Sequence, residues 1–146
     1  MRGLNFRCKI GIQIGESVRS VYCHRGAEPH EVGVMLRDYY DLEKTNELLK
    51  QGDMSHLGKT LEECNFYSRD RMLDMRECEA HDYDTVDNFL TFGPVDYYYL
   101  LRDNGWVVIS SQGVDNYKVV NEFMSVDDAL LIKAEYRKPD VKSPRW

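Results

Sequence analysis

Residues 97–111 read YYYLLRDNGWVVISS and carry the clearest secondary-structure signal in the chain. Two apolar runs, 97–102 and 106–111, flank Asp103-Asn104-Gly105. Asn-Gly favours a type I′ turn because both residues tolerate a positive φ. Large apolar side chains point to both faces of the first run, so that strand is expected to be central or covered on both sides. The segment predicts a β-hairpin.

A second hairpin is predicted near the start of the chain. Within residues 6–14, Ile10, Ile12 and Ile14 fall on one face at the period of two that is typical of a strand. Gly15-Glu16 supplies a two-residue turn with glycine at the first central position, which suits type II′. The return strand is expected to cover residues 17–24.

Two helices are predicted to follow Pro29, which presets φ for a helix start. The first has one apolar stripe made of Val32, Met35, Leu36 and Tyr39. Asp41 is the predicted N-cap of the second helix and Gly52 its end. The inward side chains of that second helix are expected to be Leu42, Thr45, Leu48 and Leu49.

The remaining segments give weaker signals. Residues 52–71 look mostly irregular, with a helical turn or short strand within 61–67, and residues 72–83 are left unassigned. A third helix is expected around Val86, Phe89 and Leu90, capped by Asp84 or Thr85 and closed by Gly93-Pro94. Ser125 is the predicted N-cap of a last helix over 126–137, although the apolar run 129–132 is also compatible with a strand.

These elements predict an α+β fold. In the predicted fold, an antiparallel sheet from two β-hairpins is expected to pack against an α-hairpin and one or two further helices. Residues 1–138 are expected to form a single domain, and residues 139–146 a C-terminal tail.

Composition limits the partners. The chain has 146 residues, 42% of them hydrophobic, and a net charge of −6. Binding to nucleic acids or anionic membranes needs clusters of Lys and Arg, which an acidic chain of interspersed charges does not offer, so neither is an expected partner. No apolar run reaches the roughly 20 residues of a membrane span, and no export signal is visible. The expected location is the cytoplasm, where the four cysteines stay reduced.

Cysteines and histidines offer a conceivable zinc site. The possible ligands are Cys23, His24, Cys64, Cys78 and His81. However, adjacent residues on a strand point to opposite faces, so one ion cannot easily take both Cys23 and His24, and no second CxxC pair is present. The same geometry argues against a Cys23–His24 nucleophile and base. No metal, cofactor or catalytic residue is therefore expected, and binding is favoured over catalysis.

Several polar and aromatic residues are candidates for binding. His24 lies where a strand ends and a loop begins, a frequent place for function. Arg69-Asp70-Arg71 can grip a phosphate or carboxylate, or Asp70 can simply orient the two arginines within the chain. Tyrosines, ten in all, suit either a protein interface or a covered sheet. The candidate ligand- or partner-binding residues are Tyr22, His24, Arg25, Tyr40, Tyr67, Arg69, Asp70 and Arg71.

An ordered series of motifs resembles a family of small bacteriophage and prophage proteins that carry a YCHxDGYPxxVG stretch. The matching positions begin with Val21-Tyr22-Cys23-His24, Pro29, Val32-Gly33, Leu36 and Tyr39-Tyr40. They continue through Glu43-Lys44, Leu48-Leu49, Gly52-Asp53, Ser55, Leu57-Gly58, Tyr67, Arg69-Asp70-Arg71, Tyr97-Tyr98-Tyr99-Leu100 and Gly105-Trp106. The sequence departs from the family at Arg25-Gly26-Ala27-Glu28 and at Met72-Leu73, where an aromatic-Asp-Gly-Tyr and a Gly-Glu are usual.

The resemblance implies a phage-encoded accessory protein in the cytoplasm of an infected bacterium, and it implies no particular chemistry. The leading expectation is that the protein binds a host or phage protein. One alternative is a small-ligand or nucleotide-binding protein, or an enzyme, that uses His24 and the Arg69-Asp70-Arg71 segment. Another is a minor virion protein. A homo-oligomer is left open.

Overall fold

The computed structural model describes residues 6–91, 95–110 and 122–132. Its strands are β1 (Cys8–Ile14), β2 (Ser17–Cys23), β3 (Met54–His56), β4 (Asn65–Phe66), β5 (His81–Tyr83), β6 (Tyr97–Arg102), β7 (Gly105–Ser110) and β8 (Met124–Ser125). Its α-helices are α1 (Val34–Tyr39), α2 (Leu42–Lys50), α3 (Tyr67–Arg71), α4 (Val86–Thr91) and α5 (Val126–Leu130). A π-helical turn at Pro29–Gly33 leads into α1, and 3-10 turns lie at Leu61–Glu63 and Met75–Glu77.

The α+β class is confirmed, with both hairpins in one sheet. The strand order is β4-β3-β2-β1-β6-β7-β8, and β5 pairs with β2. The prediction of an antiparallel sheet needs correction, because β1 pairs with β6 and β2 with β3 in parallel. Parallel neighbours need a crossover, and the helices after Pro29 supply it between β2 and β3. As predicted, β6 is central, and Tyr97, Tyr98, Tyr99 and Leu100 are buried on its two faces.

The two hairpin turns differ from each other. Ile14 pairs with Ser17, and Gly15 has a φ of +63°, as the predicted type II′ turn requires. In the second hairpin Arg102 pairs with Gly105, so the central residues are Asp103 and Asn104. Neither has a positive φ, whereas Gly105 has a φ of +119°. The type I′ prediction is therefore wrong, because the glycine begins the return strand instead of completing the turn.

Local capping signals predict the helix starts correctly. Asp41 Oδ1 accepts from the Lys44 amide at 2.8 Å, Thr85 Oγ1 from the Asn88 amide at 3.1 Å, and Ser125 Oγ from the Asp128 amide at 3.0 Å. Each side chain satisfies an amide that the helix itself leaves without a partner. The last helix ends at Leu130, earlier than predicted, and the predictions for residues 93–94 and 133–146 lie outside the described residues.

The predicted inward faces of α1 and α2 need two corrections. Tyr39 is 43% exposed and Leu42 56% exposed, whereas Tyr40 is only 3% exposed. The reason is that α1 ends at Tyr39, and the extended backbone of Tyr40 turns that ring into the core. Segments 52–71 and 72–83 also hold more regular structure than predicted, namely β3, β4, α3 and β5.

The sheet has a different apolar cluster on each face. The larger one packs beneath α1, α2 and α5 and includes Ile10, Leu36, Leu48 and Tyr99. The smaller one, on the opposite face, includes Val18, Phe89, Tyr98 and Leu100. Across residues 6–91, 95–110 and 122–132, none of the helices has the length and apolar character that a bilayer span demands.

Candidate functional site

Several polar residues meet at one edge of the sheet, where β1 begins and where β2 ends beside Met54, the first residue of β3. Arg7 precedes β1, and His24 and Arg25 follow β2. Side chains of α3 reach the same place. We define the arginine–histidine cluster as Arg7, Tyr22, His24, Arg25, Tyr67 and Arg71.

An imidazole between two phenols forms the centre of the cluster. His24 Nδ1 lies 2.6 Å from the Tyr67 hydroxyl oxygen. The Tyr22 ring packs edge-on against the other side, with ring centroids 5.2 Å apart. Both phenols come from regular elements, since Tyr22 is on β2 and Tyr67 opens α3. The imidazole is therefore held by packing as well as by a hydrogen bond.

Arg71 adds a guanidinium group over this pair. Its Cζ atom lies 5.2 Å from the centroid of the Tyr67 ring, within the range of a cation–π contact. Its Nη2 donates to Ser55 Oγ at 3.3 Å, and Ser55 donates in turn to Asn65 Oδ1 at 3.1 Å. Arg71 remains exposed, so further N–H groups of its guanidinium are accessible to a ligand.

The electrostatic field around His24 is positive. Burial lowers the pKa of His24, and the charges of Arg7, Arg25 and Arg71 lower it further. Burial also raises the pKa of Tyr67, with the charge of Arg71 opposing that effect. Near neutral pH the imidazole is therefore neutral and the phenol protonated. If Tyr67 donates to Nδ1, then His24 Nε2 carries a proton that it can donate to an anion.

The cluster arginines keep their charge largely uncompensated. Within the described part of the chain, Arg7, Arg25 and Arg71 form no ion pair with a carboxylate, whereas Arg19, Arg37, Arg69 and Arg76 each do. The carboxylates of Asp53 and Asp96 lie nearby. They accept from the backbone amides of Tyr22 and Arg7, each at 2.9 Å. Burial raises the pKa of Asp53 to about 6.

Three of the residues singled out from the sequence have internal roles. Arg69 donates to the carbonyls of Leu61 and Cys64, each at 2.9 Å, and pairs with Asp70. Asp70 Oδ2 accepts from the Phe66 amide at 2.8 Å, which holds the start of α3. Tyr40 is buried, and its hydroxyl donates to the Gly58 carbonyl at 2.8 Å. Five of the residues selected from the sequence therefore belong to the cluster: Tyr22, His24, Arg25, Tyr67 and Arg71. The other three, Arg69, Asp70 and Tyr40, form hydrogen bonds within the fold instead.

Arg7 belongs to the cluster although the sequence analysis did not select it. The signal is the alternation of side chains: Lys9 pairs with Tyr22 across the hairpin, so Arg7 and His24 lie one step further along the same face. The predicted strands 6–14 and 17–24 already place Arg7 opposite His24, so the hairpin register identifies Arg7 from sequence.

A groove lies between the helical segment after Pro29 and the segment that leaves β3, on the sheet face of the larger apolar cluster. Its volume is about 520 Å³. Apolar side chains line its walls, among them Val32, Met35, Tyr39 and Leu57. Arg25, which belongs to the arginine–histidine cluster, also lines it.

The cysteine side chains are not part of the cluster, although the Cys23 thiol donates to the Arg25 carbonyl at 3.5 Å. Cys8, Cys23, Cys64 and Cys78 are buried free thiols. Burial raises the pKa of Cys64, whose sulfur accepts from the Gly58 amide at 3.2 Å. Among the residues that the structure describes, no three His, Cys, Asp or Glu side chains converge on a point that could hold a metal ion.

Comparisons with known proteins add no family to this description. No family model, curated protein or solved structure matches the chain. The structure itself defines an α+β protein in which arginines surround a neutral histidine at one edge of the sheet.

Proposed function

We propose that this protein binds a phosphate-bearing anion at the arginine–histidine cluster. The observation that carries the proposal is the convergence of Arg7, Arg25 and Arg71 on His24, with no described ion pair to any of the three. In keeping with the motif resemblance, the proposal includes a phage origin and action in the cytoplasm of an infected bacterium.

Physical chemistry favours an oxyanion as the ligand. Guanidinium groups present paired N–H donors that match the oxygens of phosphate, and charge-assisted bonds are roughly twice as strong as neutral ones. His24 Nε2 and the Tyr22 hydroxyl add donors that need not change charge. A chain with a net charge of −6 repels anions as a whole, so a local positive cluster confines binding to this edge.

Calorimetric titration with pyrophosphate tests the proposal. Arg71→Gln should weaken binding about tenfold or more, because a charge-assisted hydrogen bond contributes ~1.5–3 kcal/mol. Arg19→Gln is the matched control, since it removes an equally charged, exposed side chain from the same sheet. Arg19 lies five residues from His24 along the strand direction, or about 16 Å at the strand rise. The proposal fails if the wild-type protein does not bind, or if both variants lose the same affinity.

A protein partner is the second candidate function, and one observation favours it. Met72 and Leu73, directly after Arg71, are 89% and 42% exposed. Met72 also has a φ of +63°, which is unfavourable for a residue with a side chain, so glycine would be the stable choice. An exposed apolar tip beside a cationic cluster suits a partner surface that is apolar and acidic.

Affinity capture from infected cells tests this candidate with Met72→Gly and Leu73→Ser as the paired variants. A partner that uses the tip should be enriched by the wild-type protein and lost with both variants. Enrichment that is equal for all three proteins contradicts the candidate.

A further inference from the structure

We infer that His24 is a phosphoryl acceptor, whose Nε2 atom takes a phosphoryl group from a donor of the phosphoramidate class. This inference rests on the anion-binding function proposed above, because the arginine–histidine cluster holds the phosphoryl group that is transferred. It goes further by assigning a reaction to the site and a nucleophile to that reaction.

The hydrogen bond at Nδ1 leaves the other ring nitrogen of His24 available. Nδ1 lies 2.6 Å from the Tyr67 hydroxyl oxygen, and no hydrogen bond within the described residues involves Nε2. The side chain is partly exposed, so a small molecule can reach it. In the neutral tautomer whose Nδ1–H donates to Tyr67, Nε2 carries a free lone pair. Tyr67 therefore directs the nucleophilic nitrogen away from the protein.

The charge of the cluster keeps this lone pair available. Burial and the charges of Arg7, Arg25 and Arg71 lower the pKa of His24, so the imidazole is neutral near neutral pH. A neutral imidazole can act as a nucleophile, whereas the imidazolium has no lone pair to give. The positive field that opposes protonation therefore favours the reactive form.

Positive groups lie on both sides of the imidazole. Arg7 forms a hydrogen bond with the hydroxyl of Tyr22, whose ring packs edge-on against His24. The Arg71 guanidinium lies over the ring of Tyr67, which packs edge-on against His24 from its own side. Phosphoryl transfer depends mainly on positioning and on stabilising the charge of the phosphoryl oxygens. The arginines supply that charge, and they also stabilise the anion left on His24.

The transfer exchanges one P–N bond for another. The Nε2 lone pair forms a bond to phosphorus, and the bond between phosphorus and the donor nitrogen breaks with its electron pair going to that nitrogen. Phosphoramidate itself releases ammonia in this step. The imidazolium that forms donates its Nδ1–H to the Tyr67 oxygen and then loses that proton to water, and ammonia takes up a proton to give ammonium.

Reaction with potassium phosphoramidate, followed by intact-protein mass spectrometry, tests the inference. The three other histidines, His30, His56 and His81, are exposed. His24 should be phosphorylated about tenfold faster than these or more, the factor expected if the cluster adds one charge-assisted hydrogen bond in the transition state. The added group should be lost in acid, in which the P–N bond of phosphohistidine hydrolyses. His24→Gln should remove the fast addition, and His56→Gln, the matched control, should keep it.

Two further variants test the surroundings of His24. Arg71→Gln should slow the addition at His24 by about tenfold and leave the addition at His56 unchanged. Tyr67→Phe removes the partner of Nδ1, so part of the phosphoryl group should attach to Nδ1 instead of Nε2. NMR of the phosphorylated imidazole distinguishes the two products, and a Tyr67 that only supports the fold would not change their ratio.

The outcomes separate this inference from the proposed function. If pyrophosphate binds at the cluster and His24 reacts no faster than the exposed histidines, the inference alone fails. The inference also fails if the added mass survives acid, or if Arg71→Gln leaves the rate at His24 unchanged. If pyrophosphate does not bind and His24 shows no fast addition, the anion-binding function fails together with the inference.

Discussion

His24 and Tyr67 are 43 residues apart in sequence, yet His24 Nδ1 lies 2.6 Å from the Tyr67 hydroxyl oxygen. The bond links the end of β2 to the first residue of α3. It places the imidazole where the charges of Arg7, Arg25 and Arg71 act on it. The candidate site is therefore assembled by tertiary structure from segments that carry no common motif.

The first prediction concerns the pKa of His24. Arg71→Gln removes one of the three positive charges that disfavour the imidazolium, so the pKa of His24 should rise toward its ordinary value. The chemical shift of the His24 Cε1 proton, followed by NMR across a pH titration, measures this pKa. Arg19→Gln should leave it unchanged, and an equal rise in both variants would contradict the local origin of the effect.

The second prediction separates Arg69 from Arg71. Arg69→Gln removes donors to the carbonyls of Leu61 and Cys64, so it should lower the free energy of unfolding by ~1–3 kcal/mol. The affinity of the Arg69→Gln variant for pyrophosphate should differ from that of the wild-type protein by less than about twofold. Arg71→Gln should show the opposite pattern in urea unfolding and calorimetry. Equal effects of the two substitutions on affinity would remove the distinction.

The third prediction uses Lys9, which is buried on the face of the sheet that α4 covers. Its Nζ donates to the Tyr83 hydroxyl at 3.1 Å and to the Phe89 carbonyl at 3.2 Å, and it lies 4.7 Å from the centroid of the Tyr83 ring. Burial lowers the pKa of Lys9 from 10.5 to about 8. Between these two values the unfolded chain keeps the proton while the folded chain releases it. The contribution of Lys9 to stability should therefore rise with pH across that window.

Urea unfolding of wild-type protein and Lys9→Met at several pH values checks this. The wild-type free energy of unfolding should increase relative to that of the variant between about pH 8 and pH 10.5. A constant or shrinking difference over that range would show that the pKa of Lys9 is not lowered by folding.

The fourth prediction concerns Tyr40, whose side chain belongs to the core. Tyr40→Phe removes the hydroxyl that donates to the buried Gly58 carbonyl and leaves it only the long contact from the Cys64 thiol, which should cost ~1–3 kcal/mol of stability. Tyr39→Phe, at the exposed neighbouring position, should change stability by less than about 0.5 kcal/mol. Thermal or urea unfolding of the two variants compares them, and a similar cost at both positions would contradict the different burial of these tyrosines.

The sequence predicts local features of this fold well and distant relationships poorly. Asp41, Thr85 and Ser125 act through hydrogen bonds to amides only three residues away, so their roles as caps follow from the sequence. The parallel pairing of β1 with β6 joins residues about 90 positions apart, and no periodicity within either strand encodes it.

The candidate site follows the same division. His24 and Arg71 could be selected because a loop-edge imidazole and a guanidinium beside a carboxylate suit binding. Both Arg69 and Arg71 are exposed, but Arg69 donates to backbone carbonyls and Arg71 to Ser55. The sequence cannot show this difference, since the two arginines differ only in their direction from a five-residue helix. Burial of Tyr40 in place of Tyr39 likewise depends on the residue at which α1 ends.

The pKa of His24, measured by NMR with and without sulfate, tests the anion site most directly, because sulfate does not titrate near neutral pH. An anion among Arg7, Arg25 and Arg71 offsets their charge and stabilises the imidazolium, so added sulfate should raise the pKa of His24 in wild-type protein and much less in Arg71→Gln. A His24 pKa that does not move in saturating sulfate would contradict anion binding at this edge of the sheet.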